Sequence, residues 1–117
     1  MKLELIRDYC LAKSGVTEEF PFDQQTLVFK VKGKMFLLTN VDNPVSINVK
    51  CEPELATELR EKYETILPGY HMNKKYWNTI MLQANYPLAD FWGWIDLSYN
   101  LVVSGLPLKV RNEILNN

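Results

Sequence analysis

The stretch Thr26-Leu27-Val28-Phe29-Lys30-Val31-Lys32-Gly33-Lys34-Met35-Phe36-Leu37-Leu38-Thr39 decides the fold. Over residues 26–32, Leu27, Phe29 and Val31 alternate with Val28, Lys30 and Lys32, the period of two expected of a strand with one buried face. Gly33 lies between two lysines where a tight hairpin requires a positive φ, and residues 35–39 supply the returning strand. A third strand over residues 45–51 places Val45, Ile47, Val49 and Cys51 on one face and Ser46, Asn48 and Lys50 on the other.

Upstream, Leu3, Ile6, Tyr9, Cys10 and Lys13 recur at spacings of three and four, which predicts a helix over residues 2–13 with Gly15 as its left-handed stop. Phe20-Pro21-Phe22-Asp23 reads as a loop, because proline fixes its own φ and displaces its predecessor from helical space. Downstream, Pro53 suits the first turn of a second helix, flanked by Glu52 and Glu54 at the positive end of the dipole and striped by Leu55, Ala56, Leu59 and Tyr63. Pro68-Gly69 closes that region. Residues 70–82 are expected to form two short strands around Asn73-Lys74-Lys75, the second running from Trp77 to Leu82. Pro87 opens the last long helix, with Leu88, Phe91, Trp92, Ile95, Tyr99 and Val102 on its buried stripe and Gly105 at its end, and Pro107 starts a short terminal helix. The order helix, three strands, helix, two strands, helix predicts an α+β two-layer sandwich: a five-stranded antiparallel sheet with helices on one face.

The chain has 117 residues, 47% hydrophobic and 23% charged, so one domain spanning residues 1–117 is expected, and collagenous or disordered classes are excluded. A chain of this length buries enough surface to fold without metal or disulfide, and no cofactor is expected. Apolar runs such as Met35-Phe36-Leu37-Leu38 are far too short to cross a bilayer. Charges interrupt the N-terminal segment Met1-Lys2-Leu3-Glu4-Leu5-Ile6-Arg7-Asp8, so no signal peptide is expected and a cytoplasmic location follows. Cys10 and Cys51 belong to no CxxC or Cys/His cluster; reduced buried thiols are the favoured reading, with a disulfide between them as the alternative.

Five strings carry a resemblance: Glu19-Phe20-Pro21-Phe22, Thr26-Leu27-Val28-Phe29-Lys30-Val31, Gly33-Lys34-Met35-Phe36, Pro68-Gly69-Tyr70-His71-Met72-Asn73-Lys74-Lys75-Tyr76-Trp77-Asn78-Thr79 and Ser98-Tyr99-Asn100-Leu101-Val102. Together they resemble the MmcQ/YjbR family of small bacterial proteins, over nearly the whole chain. The resemblance implies a CyaY-like two-layer α+β fold, a DNA-binding role assigned by structural analogy, and no established catalytic residue.

Charge is unevenly placed along the chain. Residues 24–50 carry Lys30, Lys32, Lys34 and Lys50 against Asp42, and residues 65–89 carry Lys74 and Lys75 with no acid, a combined +5 against −6 for the remainder. With helices on one side of the sheet, a modest basic surface is expected over the strands, favouring an anionic partner; lysines that guard exposed strand edges are the competing reading. Without arginine forks in these segments, DNA would be held mainly by phosphate contacts.

His71, the only histidine, has neither a nucleophile nor further ligands beside it in sequence, so no catalytic residue and no metal ligand is assigned. Glu4 and Asp8 alternate with Lys2, Arg7 and Lys13, which argues against the acidic iron-binding ridge of CyaY-like proteins. Cys51 lies at the start of the second helix, where thiolate character is conceivable, but simple burial is the favoured reading. Trp94, off the main helical stripe, is the aromatic expected to be exposed as a stacking platform. The sequence therefore predicts a non-enzymatic binding module that contacts DNA through Lys30, Lys32, Lys34, His71, Asn73, Lys74 and Lys75. A protein-binding or chaperone-like module is the alternative, and no membrane contact is expected.

Overall fold

A computed structural model describes residues 1–116. Helix α1 (Leu3–Leu11) is followed by four strands, β1 (Val16–Glu19), β2 (Thr26–Val31), β3 (Lys34–Asn40) and β4 (Ser46–Lys50). Then come α2 (Pro53–Lys62), β5 (Ile66–Pro68), β6 (Trp77–Met81), α3 (Leu88–Ser104) and α4 (Leu108–Leu115). All strand pairs are antiparallel, in the order β1-β2-β3-β4-β6-β5.

The sheet thus has six strands rather than five, and the order is helix, four strands, helix, two strands, then two helices. The strand absent from the sequence reading is β1, whose Val-Thr-Glu-Glu offers one apolar residue and hence no visible period. Glu18 faces the helical layer, where its carboxylate accepts from Arg7 Nε (2.9 Å) and Nη2 (2.6 Å), so an ion pair occupies the place of a core side chain. The strand expected after Tyr70 lies instead at Ile66–Pro68, with its proline on the outer edge of the sheet, where a missing donor is harmless. Residues 69–76 close hydrogen bonds on themselves: Met72 N donates to Gly69 O, Tyr76 N to Asn73 O, and Lys75 N to Asn73 Oδ1.

One core lies between the sheet and the helices. Leu27, Phe29, Val31, Phe36, Leu37, Ile47, Val49 and Ile80 meet Ile6, Cys10, Ala56, Leu59, Phe91, Trp94, Ile95 and Val102. α1 packs on β1, α2 on β5, and α3 across β2, β3 and β4. Trp94 is not an exposed platform: it is buried, with Tyr63 and Tyr86 edge-on at 5.6 and 5.3 Å. Leu88, expected on the stripe, is exposed instead. The buried stripe of α3 is Phe91, Trp94, Ile95, Ser98 and Val102, so its centre is rotated toward Trp94.

Two backbone features shape the end of the sheet near Lys32. The β2–β3 hairpin turns at Lys32 (φ 49) and Gly33 (φ 82), the pair of positive φ values typical of a two-residue type I′ turn. Phe29 pairs with Leu37 and Lys30 with Met35, leaving Phe36 as an extra residue, and this bulge turns both Phe36 and Leu37 toward the helices. Before Leu37, over residues 34–36, β3 has no partner in β4. The gap is bridged from α3: Ser98 Oγ donates to Phe36 O (2.5 Å) and accepts from Lys50 N (2.8 Å).

Candidate anion-binding surface

The opposite face of the sheet carries a second, smaller apolar cluster of Val28, Leu38 and Trp77, packed by Met35 and Met72. Met72 belongs to residues 69–76, which strap this face between β5 and β6. Gly69 begins the strap because an added Cβ would lie 2.9 Å from Trp77 Cβ and 3.1 Å from Trp77 O. Arg60 of α2 anchors it: Nε donates to Asn78 Oδ1 (2.7 Å), and Nη2 donates to Lys74 O and Trp77 O. Asn78, itself buried, returns a bond from Nδ2 to Ala56 O (3.3 Å). The long motif around His71 is therefore largely a device for holding this strap.

The seven residues expected to contact DNA do not form one face. Lys30 lies on the strapped face, with its ammonium 3.5 Å from Glu19. Lys32 occupies the turn and reaches the helical layer, 3.9 Å from Glu113. Lys34 pairs with Val31 and lines a cleft beside α3. The Asn73 side chain is spent on the Lys75 amide. His71 is exposed and borders a recess lined by Thr26, Asn40, Ser46 and Asn48 together with the apolar Leu38 and Met72; beside it Thr79 Oγ1 donates to Asn48 Oδ1 at 2.6 Å. Lys74 and Lys75 are exposed on the strap, over the rings of Tyr70 (5.2 Å) and Tyr76 (5.6 Å) respectively. Among the described residues, Lys34, Lys50, Lys74 and Lys75 form no ion pair.

Lys50 was not among the residues expected to bind, although the alternation Ser46, Asn48, Lys50 already put it on the outward face. Tyr70 and Tyr76 were missed as well. Their signal is the Tyr-x3-Lys-Lys-Tyr spacing of residues 70–76, which a strap, unlike a strand, turns into stacked cation–aromatic pairs.

Both cysteines are free and buried. Burial pushes the Cys10 thiol up to about 12 and the Cys51 thiol up to about 11, so neither is a reactive thiolate. For Cys10 this has a consequence at alkaline pH. Its folded value lies above the unfolded value of 9.0, so the stabilisation is complete below pH 9 and is lost as pH rises from there toward 12. Urea unfolding at pH 10.5 should therefore show about 2 kcal/mol less stability than at pH 8 from Cys10, at about 1.4 kcal/mol per pH unit above the unfolded value, and a comparable further loss from Cys51. About half of the combined difference should vanish in Cys10→Ala; an undiminished loss in that variant would assign it to other groups.

A two-layer α+β domain with a strapped sheet back and an open, lysine-bearing cleft at one sheet end defines the structural class. The comparison with known families then places the chain: a YjbR family model matches residues 11–101, and the protein belongs to the YjbR family. The Escherichia coli protein YjbR is 30% identical over 116 residues, covering 98% of each chain. The E. coli protein YbdF is 39% identical over 96 residues, covering 81% of this chain and 79% of its own. Among solved structures, a Deinococcus radiodurans protein with a DUF419 domain superposes with a TM-score of 0.90 at 36% identity, covering 97% of this chain and 87% of that one. A Pseudomonas syringae protein superposes with a TM-score of 0.73 at 28% identity, over 86% of this chain and 98% of that one. No helix among the described residues is long and apolar enough to cross a membrane.

Proposed function

We propose that this protein is a non-catalytic binding module that holds nucleic acid, DNA in the first instance, against the strap. The carrying observation is the pair of exposed lysines on exposed aromatic rings, Lys74 over Tyr70 and Lys75 over Tyr76. Exposed ammonium groups meet phosphates, and tyrosine faces offer stacking surfaces to bases. Lys30 and Lys32 contribute less, because each already has a carboxylate within 4.0 Å.

Fluorescence anisotropy with labelled duplex DNA over a salt series tests this. Wild-type binding should weaken steeply with salt, and Lys74→Ala/Lys75→Ala should flatten the log-log slope by about two, close to one counterion per lost phosphate contact. Lys32→Ala should change the slope little. Absence of binding at low salt, or an unchanged slope in the double variant, would overturn the proposal. A protein partner is the second reading, favoured by Phe20 and Phe22, which stand 49% and 64% exposed on the β1–β2 connection. DNA affinity should be insensitive to Phe22→Ser under the nucleic-acid reading.

A further inference from the structure

Where β3 and β4 part, the gap opens into a cleft of about 370 Å³, a volume suited to a small molecule. Lys34 lines it from β3 and Lys50 from β4. Met35, Trp77, Leu101 and Leu106 supply apolar wall, and Val102 and Gly105 complete the lining. No carboxylate lines the cleft, and neither lysine has an ion-pair partner among the described residues.

The nearby C-terminus of α3 could itself account for two cations, since its carbonyls carry partial negative charge. Those carbonyls already have donors. Leu101 O accepts from Ser104 Oγ (2.8 Å), Val102 O from Gly105 N (3.1 Å) and Val103 O from Leu106 N (3.0 Å). The walls are also held apart by the fold: Ser98 takes up the Phe36 carbonyl and the Lys50 amide that a continuous ladder would have paired with each other's strand. The end of α3 therefore does not account for the two ammonium groups.

We infer that this cleft is a binding site for a small phosphate monoester with an apolar body. Two lysines match a group that carries close to two negative charges at neutral pH, and the Trp77, Leu101 and Leu106 walls match an aromatic or aliphatic body. The site is separate from the strap lysines and independent of the nucleic-acid reading.

The test is titration of the 15N-labelled full chain with phenyl phosphate, inorganic phosphate and phenol, followed by amide and indole NMR shifts. Phenyl phosphate should move the signals of Lys34, Met35, Lys50, Gly105 and the Trp77 indole, and bind at least ten-fold more tightly than either inorganic phosphate or phenol. Lys34→Met/Lys50→Met should weaken it about ten-fold or more while the thermal midpoint stays close to wild type, since both side chains reach solvent. Lys74→Ala/Lys75→Ala should bind phenyl phosphate as wild type does. The inference is overturned if phenol binds as tightly as phenyl phosphate, if the shifts map to the strap, or if the cleft variant binds unchanged. DNA binding lost in the strap variant alone, with phenyl phosphate binding retained, would uphold both sites separately.

Discussion

Ser98→Ala should cost about 3 kcal/mol of folding stability, as measured by urea unfolding. The hydroxyl is completely buried and serves two backbone groups from different strands, donating to Phe36 O and accepting from Lys50 N. Its removal leaves a buried carbonyl and a buried amide unpaired, at about 1–3 kcal/mol each. The cavity left by one oxygen is too small to dominate. Hydrogen exchange gives a site-specific readout: the Lys50 amide should lose protection ahead of the rest of β4. A loss below about 1 kcal/mol would mean that water enters from the adjoining cleft and replaces the hydroxyl.

The second large effect is expected at Arg60. Its guanidinium holds Asn78 Oδ1, Lys74 O and Trp77 O, joining α2, β6 and the strap at one point. Arg60→Met keeps much of the apolar stem and removes every donor. Asn78 is 1% exposed and keeps only its own bond to Ala56 O, so about 3 kcal/mol of stability should be lost, within the range for hydrogen bonds to a charged group plus a stranded acceptor. Amides of residues 70–76 should exchange faster under native conditions. Under the proposed nucleic-acid reading, DNA affinity should fall with them although neither Lys74 nor Lys75 has been altered. A variant with native exchange rates in the strap would show that Met72, packed on Val28, Leu38 and Trp77, anchors it without help.

The contrast between these sites and the hairpin shows which parts of the molecule are legible in sequence. The alternation in residues 26–31 and the glycine at 33 are local signals, and β2 and its turn follow from them directly. The bulge at Phe36-Leu37 has no such signal. Met-Phe-Leu-Leu is apolar throughout, so nothing marks where two successive residues turn to the same side. The placement of the lysines on either side of that bulge was lost with it, and Lys34 was assigned to a face it does not share with Lys30. β1 was missed because Glu18 fills an inward position by pairing with Arg7, and a pairwise charge contact between elements leaves no period in one of them. The expectation of two short strands around Asn73-Lys74-Lys75 holds for the second, from Trp77, but not for the first, because the Asn73 side chain closes a turn in the strap. Lys50 was legible and was passed over, since its partner in the cleft, Lys34, is adjacent in space and not in sequence.

The outer strands of the sheet carry a consequence for assembly. On one side β1 has four residues, two of them glutamates; on the other β5 has three and ends in Pro68. A seventh strand added beside β1 would bring its backbone against Glu18 and Glu19, and one added beside β5 would find too short a ladder, interrupted by a residue with no N–H. Both margins of the sheet thus resist extension, which protects the fold against runaway strand-by-strand polymerisation at high concentration. Recognition by this molecule is accordingly confined to its broad surfaces, its hairpin tips and the notch at the end of the sheet.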